Sequence, residues 1–189
     1  MKNRIQSLSR VIRSILVVVL IASPLIVGLI WLSGGEILMG DAQSGMTFQF
    51  LGDDLLTDGE LALTVPLPWE ARILGLSVTM IPVGIGMIAT WWLICLFGCF
   101  ARGEVFTQSS VSYISRTGWT MVASVVTLPI YQLLLSWVLT MHNQPGERLL
   151  SISLDLNDLE KIITAAIIIL VSWIMEEGRK LRENDDLTV

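Results

Sequence analysis

The sequence predicts a membrane protein, mainly α: a four-helix transmembrane bundle with a small extracytosolic three-stranded β cap. Three observations carry that expectation. Hydrophobic residues make up 53% of the 189-residue chain and charged residues only 15%, against about 25% charged in a soluble domain. The charge is missing from four apolar runs, and most of the Trp residues fall near the ends of those runs, a depth that amphipathic rings favour in a bilayer. The bases are unevenly placed as well. Lys2, Arg4, Arg10, Arg13, Arg102, Arg116, Arg179, Lys180 and Arg182 lie in segments that four spans put in the cytosol, and only Arg72, Arg148 and Lys161 lie outside. That asymmetry obeys the positive-inside rule. The net charge of −5 leaves no basic footprint for direct nucleic-acid binding.

The first span is expected over 14–33. Residues 1–13 carry four bases and no acid, and an apolar run of 20 residues follows from Ser14 to Ser33. A secretory signal has a similar basic start, but its apolar region is only about 7–15 residues. Ser33-Gly34-Gly35 is a poor cleavage site. The segment therefore reads as an uncleaved anchor with a cytosolic N-terminus, and Pro24 as a kink position.

Residues 34–72 differ in kind. They carry seven acids, Glu36, Asp41, Asp53, Asp54, Asp58, Glu60 and Glu70, and one base, Arg72. Met46–Leu51 and Glu60–Val65 alternate between apolar and polar residues. Asp53-Asp54 and Asp58-Gly59 supply turn chemistry between them, and Pro66 and Pro68 end the second run. The expectation is a β-hairpin outside the membrane. A calcium site would need six to eight oxygens, and the spacing matches no calcium loop, so the acids read as a solvated rim.

The second span is expected over 73–100. Gly75, Thr79, Pro82, Gly86 and Thr90 recur at three- and four-residue steps, a small, slightly polar seam. Small residues let helix backbones approach closely in lipid, so helix packing is preferred to cavity lining. Cys95 and Cys99 lie at i, i+4 in this run and read as small apolar side chains rather than a redox pair.

A polar cytosolic loop, 101–117, follows. Thr107 is placed to cap a helix beginning near Gln108, with Val111 and Ile114 giving an amphipathic start. The third span is expected over 118–141, where Thr120, Ser124, Thr127 and Tyr131 form a polar stripe. Hydroxyls in lipid bond their own helix or a neighbour. With no ionisable member, the stripe lacks the usual mark of an ion route. It joins Gly75, Thr79 and Gly86 as a second helix-packing seam, and Pro129 is another kink position.

His142 is the lone histidine and precedes a turn. Leu150, Ile152, Leu154 and Leu156 alternate with Ser151, Ser153 and Asp155, the signature of a strand. Leu150–Leu156 is therefore assigned the third strand, and 142–156 completes the cap. The fourth span, 157–175, is the shortest, with only 14 uncharged residues between Lys161 and Glu176. A helix start near Asn157, with Glu160 in a capping box and Lys161 snorkelling, lets it cross. The tail 176–189 is then cytosolic.

No Gly-x-Ser-x-Gly elbow, phosphate loop or His-Glu-x-x-His is present. Glu176-Glu177 are adjacent on a helix and point apart. No catalytic, cofactor-binding or metal-binding residue is assigned, no cofactor is expected, and the chain reads as non-enzymatic.

Gly103-Glu-Val-Phe-Thr107 with Gly118-Trp119, and the ending Glu176-Glu-Gly-Arg-Lys-Leu-Arg-Glu-Asn-Asp-Asp-Leu-Thr-Val189, resemble the domain-of-unknown-function family 2975. These are small bacterial membrane proteins with four expected spans. The resemblance implies a bacterial inner-membrane location and, by analogy with neighbouring genes, a small helix-turn-helix regulator as partner. It implies no activity. The leading expectation is a protein that acts through partners, contacted by Gly103, Phe106 and Thr107 in the loop and Arg179, Lys180 and Arg182 in the tail. Beyond the lipid bilayer, a homo-oligomer is the other association considered. The main rival is a small transporter or channel subunit using the Thr120–Thr127 stripe. An enzyme acting on lipid headgroups through Asp53, Asp54 and Asp58 ranks below both.

Overall fold

A computed structural model describes residues 2–32, 68–104, 107–141 and 156–186. They form four helices: α1 (Lys2–Leu32), α2 (Trp69–Arg102), α3 (Gln108–Thr140) and α4 (Leu156–Asp186). Each of the first three carries one internal proline, Pro24, Pro82 and Pro129.

The three-stranded cap expected from the sequence is overturned. Among the described residues there is no strand, and both described edges of the cap are helical. Trp69–Arg72 form the first turn of α2, where the Arg72 N–H donates to the Pro68 carbonyl at 3.2 Å and Glu70 sits near the positive end of the helix dipole. Leu156 opens α4 instead of closing a strand. Its spacing to Leu159 and Ile163 satisfies the helical period, and that longer pattern outweighs a short alternation. The rest of the cap, 34–67 and 142–155, lies outside the described residues.

Among the described residues, three segments are long and apolar enough to cross a membrane, Gln6–Leu32, Trp69–Arg102 and Gln108–Thr140. The 34 residues of α2 amount to roughly 51 Å of helix, well beyond a hydrocarbon core of about 30 Å. α4 is not among the three. Its apolar stretch is short, and the acids and bases at both ends of the helix dilute it.

The chain divides into two compact units. One comprises 1–22, 84–125 and 156–189, the other 23–83 and 126–155. In the first unit the buried apolar residues include Ile94, Leu96, Cys99, Val111, Ile114 and Ala165. α4 contributes a narrow seam to it: Asp158, Ala165 and Ser172, seven residues apart, are buried, while Ile163, Ile167, Leu170 and Ile174 are exposed. Small buried side chains and large exposed apolar ones are the pattern of a helix that packs closely in lipid. In the second unit Val27, Trp31, Ala71, Tyr131, Leu135, Val138 and Leu139 are buried, together with the polar side chains of Thr79, Gln132, Ser136 and Thr140.

Candidate functional site

The polar loop between α2 and α3 is built from two helix caps. Gly103 has φ 83°, in the left-handed region that strains any residue with a Cβ. Its N–H donates to the Phe100 carbonyl and the Glu104 N–H to the Cys99 carbonyl, both at 3.0 Å. This is the bond pair of a Schellman turn. Arg102 then lays Nε and Nη2 on Glu104 Oε2 at 3.2 and 3.0 Å.

Thr107 caps α3, its Oγ1 accepting from the Ser110 N–H at 3.4 Å. The buried Ser110 hydroxyl donates to the Glu104 carbonyl at 2.7 Å, so one side chain ties the end of α2 to the start of α3. The Gly-Glu-x-x-Thr run is thus, in its described part, a helix stop followed by a helix start. Val105 and Phe106 lie outside the described residues.

Two contacts fasten α4 to the beginning of α3. Ser172 Oγ donates to the Val111 carbonyl at 3.3 Å in a buried position. Gly118 lies against Ile168 and Ile169, where an added Cβ would come 2.6 Å from Ile169 Cγ1. The two helices run antiparallel, since 172 meets 111 and 168–169 meet 118.

Beyond this contact α4 continues to Asp186 with Arg179 and Lys180 on it. Arg179 grips Glu176 with both arms, Nη2 to Oε1 at 2.9 Å and Nε to Oε2 at 3.1 Å. That hydrogen bonding, with the charge of Arg179 behind it, holds the Glu176 carboxyl below its usual range. Lys180 is exposed and stands 3.7 Å from Glu177 Oε2. Arg182 falls within α4, and its side chain is outside the described residues.

Arg116, which the sequence places in the loop, lies about two turns inside α3. Its guanidinium carbon stands 4.9 Å from the centroid of Trp92, and Trp92 is itself stacked on Tyr113 with centroids 6.1 Å apart.

The packing positions fall into two groups. Gly75 is buried with the six-membered ring of Trp31 lying on it. Thr79 is buried beside it, accepting from Trp31 Nε1 at 3.1 Å and donating to the Gly75 carbonyl at 2.8 Å. Tyr131 shares a further hydrogen bond with Thr79. Gly86, in contrast, is exposed with nothing within 4 Å of an added Cβ. Thr120 and Ser124 turn their hydroxyls back to the Arg116 and Met121 carbonyls, both at 2.7 Å, and Thr127 is half-buried.

Sequence reasoning did not single out Trp31, Ser172 or the Arg116–Trp92 pair, because each depends on which helix lies opposite, nor Ser110, whose partner Glu104 lies six residues back across the loop. The seven-residue step of Asp158, Ala165 and Ser172 was the available signal for the α4 seam. Among the described residues, no three His, Cys, Asp or Glu side chains gather as metal ligands would.

The model of the family described as "Protein of unknown function (DUF2975)" matches residues 57–189. The chain belongs to DUF2975. The matched range holds the capped loop, Gly118 and the whole of α4, while α1 precedes it. Comparisons with curated proteins and with solved structures gave no match for this DUF2975 chain.

Proposed function

We propose that this protein is a non-enzymatic, four-span bacterial inner-membrane protein that works by holding a cytosolic partner, with both termini in the cytosol. The supporting observation is that the loop and the tail helix are fastened into one compact unit. Residues 1–22, 84–125 and 156–189 make up that unit, and the Ser172–Val111 bond and the Gly118 contact join α4 to α3 within it. All nine bases of the expected cytosolic segments fall in the same unit, with Lys161 the tenth, whereas Arg72 and Arg148 fall in the other.

A loop closed by two caps and a helix continued beyond the apolar stretch offer a preorganised surface, which lowers the ordering cost of binding. The partner most consistent with the family resemblance is a small helix-turn-helix regulator, which itself would carry the DNA contact.

The test is crosslinking and co-purification from native membranes. The wild-type chain should retain a cytosolic protein that Phe106→Ala weakens and that truncation after Met175 removes. Retention of every partner by both variants overturns the reading.

A further inference from the structure

Among the described residues, the Arg116 guanidinium has no carboxylate partner. It lies about 12 Å along α3 from Gln108, at 1.5 Å per residue, and is exposed. Arg102, Lys161, Arg179 and Lys180 each stand 3.0, 3.0, 2.9 and 3.7 Å from an acid. No such ion pair joins Arg116 to another described residue, and its close contact is the Trp92 face.

The surroundings of Arg116 are those of a lipid-facing surface. Trp119 and Ala123, three and seven residues on along the same side of α3, are exposed, and so is Trp91 on α2. An arginine beside an apolar, lipid-facing stretch is costly unless a counter-charge or water reaches it. The guanidinium carbon lies over the Trp92 ring, a cation–π contact, and Tyr113 is stacked on that indole in turn. The side chain is exposed, and no hydrogen bond to a described residue engages its N–H groups, whose fork matches a phosphate oxygen pair.

We infer that Arg116, held on Trp92, binds the phosphodiester of an anionic phospholipid in the inner leaflet, with the acyl chains along Trp119 and Ala123. Charge complementarity favours a net-negative lipid over a zwitterionic one, whose own ammonium competes for the phosphate.

The test is native mass spectrometry of the full-length protein from nanodiscs of equal dioleoylphosphatidylglycerol and dioleoylphosphatidylcholine. The wild type should retain the glycerol lipid in roughly fivefold preference, the effect of one base near an anionic surface. Arg116→Gln should bring the ratio to about one. Arg102→Gln, whose guanidinium already serves Glu104, should leave it unchanged. Trp92→Leu keeps the charge without its platform and should lower the preference about twofold, so it decides the matter if Arg116→Gln does not fold. An unchanged ratio in Arg116→Gln or, failing that variant, in Trp92→Leu overturns the assignment. So does equal retention of the two lipids by the wild type.

Discussion

Trp31 on α1 and Thr79 on α2 are joined by a buried hydrogen bond, the indole Nε1 donating to the hydroxyl at 3.1 Å. Thr79 can accept because its own proton goes back to the Gly75 carbonyl. The indole can come this close because residue 75 has no side chain. One glycine, one hydroxyl and one indole therefore set where the two helices meet.

Removing the hydroxyl and filling the glycine should weaken the same contact by different amounts. Thr79→Val leaves a buried N–H without its acceptor, an expected loss of about 0.6–2 kcal/mol, the range spanning bilayer and soluble measurements. Gly75→Ala pushes a methyl into the Trp31 ring, and displacing a buried indole costs about 1–3 kcal/mol. Reversible unfolding in mixed micelles reads both. Because Trp31 is the shared partner, Trp31→Phe should make the effect of Thr79→Val much smaller. Additive losses would show that the bond does not carry the stability.

Gly118 and Gly86 should respond to alanine with opposite signs. At Gly118 the new methyl meets Ile169 Cγ1 at 2.6 Å, Ile168 Cγ2 at 3.3 Å and the Ile169 backbone nitrogen at 3.4 Å. α4 must then shift, at about 1–3 kcal/mol. At Gly86 nothing stands within 4 Å, and alanine removes a flexible helical glycine, a gain of about 0.5–1 kcal/mol. Melting temperatures of the two single variants in one detergent give the comparison. A rise for Gly118→Ala would contradict the α3–α4 contact.

What the sequence conveyed is what local chemistry determines. Thr107 at the start of a helix from Gln108 is legible because a cap is decided by a few neighbouring residues. The apolar helices are legible because lipid asks for nothing more than length and hydrophobicity. The cap strand ending at Leu156 was misread at that residue, since the spacing of Leu156 to Leu159 and Ile163 continues a helical period that outlasts a short alternation. Which residue of α1 lies on Gly75, or which carbonyl Ser172 reaches, is a matter of pairing between helices that no single-chain period encodes. The same is true of Arg116, whose loop-like charge concealed that α3 runs on beneath it.

Gly103 should tolerate no side chain without loss. Its φ of 83° costs alanine about 1–2 kcal/mol, and Thr107→Ala adds the loss of a cap, about 1 kcal/mol. Thr107→Ser keeps the hydroxyl and should be close to wild type. Hydrogen exchange at the Glu104 and Val111 amides, which close onto the Cys99 and Thr107 carbonyls, should quicken in Gly103→Ala and Thr107→Ala. Unchanged protection would mean the caps do not hold the loop.

The tail helix should loosen in acid. The Glu176 carboxyl titrates below its usual range because Arg179 hydrogen-bonds its charged form. A depressed folded-state pKa contributes order that is present above the unfolded value and is lost as pH falls through the folded value. A nitroxide at position 181, on the exposed side of α4, should therefore gain mobility below the ordinary carboxylate range. Glu176→Gln should show that higher mobility already at neutral pH and respond less to acid. A probe equally mobile at pH 7 and in acid in the wild type would remove the pair from the account of the tail.

The tail should lie in the cytosol. Gly98 has the Arg13 guanidinium 3.8–3.9 Å from the position of a Cβ, Trp92 meets Tyr113, and Val111 meets Ser172. These contacts set one end of each helix at a common level, with Arg10, Arg13, Arg102, Arg179 and Lys180 near it. Translocating that many bases is opposed by the positive-inside bias, so this end should face the cytosol. α4 must then cross with only 14 uncharged residues, from Ile162 to Met175. It can do so if Lys161, already paired with Asp158 at 3.0 Å, sits at the outer headgroups, which is where snorkelling puts it. A cysteine added after Val189 should thus resist a membrane-impermeant maleimide in intact cells and react once the inner membrane is opened. Labelling in intact cells would place the tail outside, and neither the partner surface nor the four-span reading would survive it.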